Sequence, residues 1–304
     1  MMMETGLAES PRHAAMEFRK LGASSERIPV VGLGTWRYSG GLAPLLAGIE
    51  SGAALIDTAE IYGSEEVVGQ AISGRRRQVF LATKVRAGNF RRSDLIAAAE
   101  GSLRRLGTDY IDLYQLHWPN YTVRIAETMA AMEDLANAGK IRFIGVSNFS
   151  VRELREAQAA LSSHQIVSNQ VRYSLIERTP EVAMLDYCQK NGVTLIAFSP
   201  LGEEFSRLNA ADPEGVLEGV AKKSGKTPAQ VALNWLIAKE NVVVIPKASS
   251  VRHAVEDALA AGWRLEPRDY QLLSDKVCFR RRGRIESVAR RCARRLRQMT
   301  GKQL

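Results

Sequence analysis

The sequence predicts an α/β fold, a TIM (β/α)8 barrel, on three observations. Eight short apolar or alternating runs recur along the chain, helical patterns separate most of them, and the alternation extends over about 250 residues. The runs are PVVGLG, AALIDT, VFLATKV, IDLYQLHW, IRFIGVS, QIVSNQV, VTLIAFS and NVVVIPK, rich in Val, Ile, Leu and Phe. That composition suits parallel strands buried on both faces. A doubly wound sheet would need a glycine-rich phosphate turn after an early strand. GLGTWR supplies two of the three glycines and no helix follows it, so that reading fails.

Taken in order, the first residues, MMMETGLAESPRHAAM, carry acids and Pro11 but no apolar stretch. They do not read as a secretory signal, and Met16 is a candidate start after a loose extension. MEFRKLGASSERIPVVGLG alternates around a turn-like GASSE and is expected to form a β-hairpin closing the barrel bottom. Among the helical patterns, SDLIAAAEGSLRRLG places Leu95, Ile96, Ala99, Leu103 and Leu106 on one face of a 3.6-residue period. TPAQVALNWLIAKE opens on the Thr-Pro of a good N-cap and first turn, keeping Val231, Leu233, Trp235 and Leu236 for burial. Beyond Pro267 the barrel pattern stops. RIESVARRCARRLRQM spaces Ile285, Val288, Cys292, Leu296 and Met299 by threes and fours among arginines, an amphipathic basic helix. The chain therefore divides into a barrel over 16–276 and a basic C-terminal extension over 277–304.

Composition narrows the function classes. Apolar residues are 45% and charged residues 25% of 304, the balance of a soluble globular protein, and no apolar run nears the roughly 18 residues that span a bilayer. Cys188, Cys278 and Cys292 form no CxxC pair, which fits a reducing cytoplasm and gives no support for a disulfide framework or a metal site. The net charge of +9 resembles a nucleic-acid signal until it is located. From Val277 onward there are ten cations against Glu286 alone; removing them from totals of 42 and 33 leaves 32 of each sign in the body.

In such a barrel, reactive side chains come from the C-terminal ends of strands and the loops after them. Asp57 ends the second run, Lys84 lies at the end of the third, His117 at the end of the fourth, and Tyr62 lies five residues past Asp57. Singly, each has an ordinary reading: a turn cap, a rim lysine, a near-core histidine, a packing tyrosine. Together, from three neighbouring strands and one loop, they form a coherent acid. A free phenol ionises near pH 10. An ammonium beside it is expected to favour phenolate, with Asp57 holding Lys84 charged and His117 orienting a carbonyl oxygen. Tyr62 can then protonate an oxyanion while a nucleophile attacks the carbon; if that nucleophile is hydride, the reaction is carbonyl reduction. Glu60, which at first pairs with Asp57 as an acid–base couple, becomes a loop residue.

These segments resemble the aldo-keto reductase superfamily from about Met16 to Pro267. LIDTAEIYGSEEVVGQAI is similar to the family's segment bearing its catalytic Asp and Tyr, here Asp57 and Tyr62; LATKV matches at Lys84 and DYIDLYQLHWP at His117. The resemblance implies NADPH, with NADH as the alternative, lying extended across the barrel mouth. It implies that Ser147, Asn148 and Gln170 hold the nicotinamide carboxamide and that Phe198 underlies the ring, where the family usually has Tyr. Ser199 and Leu201 would lie near the pyrophosphate. Lys247, Ser249, Ser250, Arg252 and His253 would grip the adenosine 2′-phosphate, His253 standing where many members carry Arg. Asp257 replaces the usual Asn at the adenine. Trp36 and Trp118 resemble substrate-pocket residues, and the short loops after His117 and Gly202 suggest an open mouth for an apolar or aromatic aldehyde or ketone. No obligate protein partner is implied. Two other readings remain at this point: a Schiff-base lyase using Lys84, which its pairing with Asp57 opposes, and a cofactor-binding regulatory subunit with slow turnover. The basic tail is either a solvated helix, a lid favouring anionic carbonyls, or a contact for an acidic surface.

Overall fold

A computed structural model describes residues 16–300. The extension expected ahead of Met16 and the last four residues, Lys302 among them, lie outside the described residues. The chain enters through an antiparallel hairpin, β1 (Phe18–Lys20) and β2 (Arg27–Pro29), paired Phe18 to Pro29. Eight strands then form one sheet in sequence order, each parallel to the next: β3 (Leu33–Gly34), β4 (Leu55–Asp57), β5 (Phe80–Val85), β6 (Ile111–Leu116), β7 (Ile141–Ser147), β8 (Ile166–Arg172), β9 (Thr194–Phe198) and β10 (Val242–Ile245). Seven of the eight runs read from the sequence contain one of these strands whole, and β8 extends one residue past QIVSNQV, to Arg172.

The barrel closes between β3 and β10. Gly32 N–H donates to Val244 O at 2.8 Å, Val244 N–H to Val30 O at 2.9 Å, and Gly34 N–H to Pro246 O at 2.8 Å. The seam is tight enough that a Cβ on Gly34 would lie 2.7 Å from Ile245 O, so only glycine lets the two edges meet.

Among the described residues, twelve α-helices surround and extend the barrel: α1 (Leu42–Glu50), α2 (Glu65–Ile72), α3 (Arg92–Leu106), α4 (Ile125–Asn137), α5 (Val151–Ala159), α6 (Met184–Lys190), α7 (Phe205–Ala210), α8 (Val216–Ser224), α9 (Pro228–Ile237), α10 (Val251–Ala258), α11 (Pro267–Lys276) and α12 (Arg284–Met299). α3 buries Leu95, Ala99, Leu103 and Leu106 as its period requires. α9 begins with a full capping box: Gln230 N–H donates to Thr227 Oγ1, Gln230 Oε1 accepts from Thr227 N–H, and Pro228 fills the first helical position. Among the described residues, no helix is long and apolar enough to cross a membrane.

Two apolar layers follow from the strand period of two. Outward residues such as Ile56, Leu81, Tyr114, Val146 and Leu195 pack beneath the helices. Inward residues at the bottom of the barrel, including Leu55, Phe80, Leu113, Ile196 and Val243, pack with Leu21 and Ile28 of the hairpin. Leu21 and Ile28 are fully buried, so the hairpin plugs the barrel as expected. Above that plug the interior turns polar.

Candidate active site

The polar layer is built by strand register. Asp57 ends β4 opposite Ala82 of β5, and Lys84, two residues further along β5, lies opposite Gln115 of β6. Asp57, Lys84, Gln115 and Gln170 thus enter the barrel from β4, β5, β6 and β8. His117 follows β6 by one residue, and Tyr62 closes a short 3-10 turn, Glu60–Tyr62. Lys84 Nζ donates to Asp57 Oδ1 at 2.5 Å and to Thr58 O at 2.8 Å, and stands 3.5 Å from the Tyr62 hydroxyl. The Tyr62 hydroxyl lies 3.3 Å from His117 Nε2. The four residues expected to act together are therefore together.

Burial decides their protonation. Lys84 is wholly inaccessible and Asp57 nearly so. Burial alone would pull the Lys84 ammonium down, but the Asp57 carboxylate and the neighbouring Tyr62 outweigh it and leave its pKa raised. His117 moves the other way: burial, reinforced by the Lys84 charge, lowers it to about 3, so the imidazole is neutral at pH 7. Its Nδ1 is buried without a hydrogen-bond partner. A lone pair without a partner costs less than an N–H without one, which favours the tautomer with the proton on Nε2. For Tyr62 the sequence expectation needs correction. Lys84 does pull the phenol pKa down, but burial is the larger effect and the net shift is upward.

Further neighbours complete the layer, and of these the sequence reading did not single out Gln115. Asp57 Oδ2 accepts from Gln170 Nε2 at 2.7 Å and from Gln115 Nε2 at 3.1 Å. Gln115 lies two residues before His117, on the same side of β6; the strand period was the signal that could have found it. Room for it comes from Gly145, where a Cβ would lie 2.6 Å from Ser168 Oγ and 3.0 Å from Gln115 Cγ. Asn148, in the left-handed region at φ 63°, donates to His117 O at 3.1 Å and to Ser147 Oγ at 2.9 Å, and Ser147 Oγ–H donates to Gln170 O at 3.0 Å. Glu60 accepts from Arg86 N–H at 2.5 Å and from Asn89, tying two loops together, as its reading as a loop residue requires.

A cavity of about 780 Å³ opens above this layer. Its wall includes Trp36, Trp118, Tyr62 and His117, then Ser147, Asn148, Gln170, Phe198, Ser199 and Leu201, and also Lys247, Arg252, His253 and Asp257. Lys84 lies behind Tyr62 and does not line it, so its amine is shielded from a substrate carbonyl, which argues further against a Schiff base. Ser249 and Ser250 also fall outside the wall. Ser250 caps α10, its Oγ accepting from His253 N–H at 3.3 Å, while Ser249 Oγ is buried without a partner. Further lining residues escaped the sequence reading: Arg37, Ile61, Arg172, Glu203 and Phe205. Arg172 follows Gln170 by two positions on β8, pairs with Glu203 at 2.5 Å, and sits 5.5 Å from the Phe198 ring centroid.

The cavity fits the expected dinucleotide. An aromatic face and amide groups adjoin the Tyr62–His117 pair, and three basic side chains stand beside the N-terminus of α10, an arrangement suited to a phosphate. Asp257 is a buried carboxyl whose pKa is raised to about 8, by burial first and by Glu256 second. Below that pH it is neutral and can both donate and accept, as an Asn would.

The family model described as the aldo/keto reductase family matches residues 30–277. A methylglyoxal reductase of Escherichia coli K12, YeaE, is 41% identical over 242 residues, covering 76% of this chain and 84% of its own length. A glyoxal reductase of Bacillus subtilis is 38% identical over 237 residues, covering 76% and 82%. Among solved structures, an aldo/keto reductase of Klebsiella pneumoniae in complex with NADP and acetate superposes with a TM-score of 0.80 at 36% identity, covering 88% of this chain and 98% of that one.

Proposed function

The chain belongs to the aldo/keto reductase family, and on that premise we propose that Tyr62 is the proton donor in its NADPH-dependent reduction of aldehydes or ketones to alcohols. One observation carries the assignment: the Tyr62 hydroxyl and His117 Nε2 stand 3.3 Å apart facing the cavity, with the buried Lys84–Asp57 pair behind the phenol. NADPH, when bound, supplies the hydride. A carbonyl oxygen seated between the two groups would accept a hydrogen bond from His117 Nε2–H and the proton from Tyr62. His117 cannot compete as the acid, because an imidazole pulled down to about 3 holds no second proton at neutral pH.

Lys84 acts once the proton has left. The phenolate then lies 3.5 Å from an ammonium that Asp57 keeps charged, and in this water-poor layer that attraction is strong. Ser147, Asn148 and Gln170 would hold the carboxamide, Gln170 using the amide oxygen left free when its Nε2 donates to Asp57. Phe198 would support the ring. Lys247, Arg252 and His253 would take the 2′-phosphate, and Asp257 the adenine.

Small reactive aldehydes are the substrates we propose, since related enzymes are named for methylglyoxal and glyoxal. Trp36, Trp118, Ile61 and Phe205 supply an apolar wall. Trp36, Ile61 and Phe205 are 43%, 50% and 37% exposed, so the mouth is open as the short loops suggested. We read 16–276 as the catalytic barrel and 277–304 as its extension, and a reducing cytoplasm as the setting for three free cysteines. Among the described residues, none beyond Asp257 lines the cavity. The basic tail bears on the pocket through one contact, Arg294 4.1 Å from the Trp118 ring centroid, and carboxylated aldehydes are the substrates on which that contact would tell.

The test is Tyr62→Phe with methylglyoxal, glyoxal and a neutral aromatic aldehyde, using NADPH and NADH in parallel. The expected loss in kcat is about 10²–10⁴-fold with each aldehyde, while NADPH binding, followed by fluorescence, stays close to the parent. Full retained turnover would overturn the assignment.

A further inference from the structure

The C-terminal helix α12 is attached to the barrel by its polar side. Gln298 Nε2 donates to Pro119 O at 2.9 Å and Gln298 Oε1 accepts from Tyr121 N–H at 2.9 Å. Arg294 stacks on Trp118, and Arg291 stands 3.8 Å from Glu153. Residues 291, 294 and 298 therefore face the body. The apolar residues form a separate stripe, rotated from that face by about 130° at 100° per residue. Ile285, Val288, Leu296 and Met299 are 87%, 52%, 63% and 67% exposed, and Cys292 between them is exposed as well. This inverts the usual surface helix, which buries its apolar side against the core.

The charges around the stripe indicate what covers it. Arg295 borders it on one side, and Arg297 and Arg290 lie beyond it on the other. Arg290 is paired with Glu286, whereas Arg295 and Arg297 have no carboxylate partner among the described residues. Long arginine side chains beside an apolar strip can hold their guanidinium groups at a phosphate layer while the strip enters the acyl boundary. A nucleic acid would satisfy the arginines but leave the aliphatic side chains in water. A second copy of the helix would cover the stripe but set Arg295 against like charge. An anionic bilayer surface satisfies both at once, and the chain ahead of Val277, with 32 residues of each sign, carries no net charge to oppose it.

We propose that α12 docks this protein on anionic phospholipid membranes, the stripe of Ile285, Val288, Leu296 and Met299 entering the interface and Arg295 and Arg297 meeting the headgroups. The proposal does not depend on which aldehyde the barrel reduces.

The experiment is flotation of the full-length protein with vesicles of phosphatidylcholine containing about one third phosphatidylglycerol, against phosphatidylcholine alone, with aldehyde turnover measured on the same samples. Binding to the anionic vesicles should exceed that to neutral ones by about tenfold or more, and most of it should be lost near 0.5 M NaCl. Ile285→Ser with Leu296→Ser should reduce it about tenfold, as should Arg295→Glu with Arg297→Glu, each with turnover of a soluble aldehyde unchanged. Equal binding to both vesicle types, no binding, or binding that survives the serine pair would overturn the proposal. So would a dimer that the serine pair dissolves without any vesicle association, or a hold on single-stranded DNA stronger than that on vesicles and indifferent to the serine pair.

Discussion

Asp57→Asn tests the polar layer most directly. In the parent, Asp57 accepts from Lys84 at 2.5 Å, Gln170 at 2.7 Å and Gln115 at 3.1 Å, and Lys84 is wholly inaccessible. An asparagine keeps the shape but removes the charge and turns an N–H₂ group toward donors. Breaking a buried pair from one side costs about 3–5 kcal/mol, because the other charge is left uncompensated. Lys84 would respond by losing its proton, since burial, the force that already pulls it down, would then be opposed only by Tyr62.

The pH dependence carries the sign. In the parent, the Lys84 pKa is raised, so its stabilisation is present below the unfolded value of about 10.4 and lost as pH rises through the folded one. In the variant the folded pKa is depressed; the unfolded chain then binds the extra proton, and stability rises with pH toward about 10.4. The gap between the two proteins should be widest near pH 7 and close at up to about 1.4 kcal/mol per pH unit on going toward 10. Urea unfolding of the cofactor-free proteins at several pH values measures it. Adding Lys84→Met to Asp57→Asn should recover part of the loss, because the orphaned charge goes with it. A gap below about 1 kcal/mol at pH 7, or one that widens with pH, would refute the reasoning.

Three further outcomes are expected. The His117 ring, held near 3 by burial and by Lys84, should show the neutral Nε2–H pattern in nitrogen NMR down to pH 5, with no fall in reductase kcat between pH 8 and 5; titration near 6.5 would contradict the assigned tautomer and role. Asp257, raised to about 8, should ionise above that pH beside an anionic cofactor, so NADPH affinity measured by fluorescence should weaken as pH rises through 8 and become flat in Asp257→Asn. Lys247→Ala with Arg252→Ala should raise KM for NADPH about tenfold or more and leave KM for NADH nearly unchanged, the loss of a charge-assisted phosphate contact being about 1.5–3 kcal/mol.

What the sequence made legible and what it hid divide along physical lines. Eight buried strands announce themselves because both faces are apolar, and an Asp, Lys or His at the end of such a strand stands out against it. Gln115 and Gln170 enter the same layer, yet Gln115 is a neutral amide inside a strand, and nothing in its identity reveals that it braces a carboxylate 3.1 Å away. The left-handed backbone at Arg37, Asn148, Ser199 and Glu203 was equally silent, because sequence rarely marks a non-glycine residue at positive φ. The apolar period of α12 was plain, but a period gives only the existence of a stripe. Which way it faces depends on what the opposite side finds to hold, here Trp118, Pro119, Tyr121 and Glu153.

The largest revision concerns what the lysine is for. Proximity alone suggests an ammonium that lowers the phenol pKa until a proton leaves readily. Burial outweighs it, and the resting phenol is a weaker acid than free tyrosine. The same burial strips His117 of its second proton and pulls on Lys84 too, but there the Asp57 carboxylate and Tyr62 outweigh it and keep the ammonium charged. One low-dielectric layer thus sets three protonation states together: a neutral imidazole that can only orient, a phenol that retains its proton until an oxyanion forms, and an ammonium whose attraction grows as the phenolate appears. An interaction that strengthens as charge develops lowers the barrier, whereas one already satisfied in the resting enzyme does not. It follows that Asp57→Asn should slow turnover chiefly through kcat, with the aldehyde KM little changed, because the lost ammonium acts on a charge the bound substrate has not yet acquired.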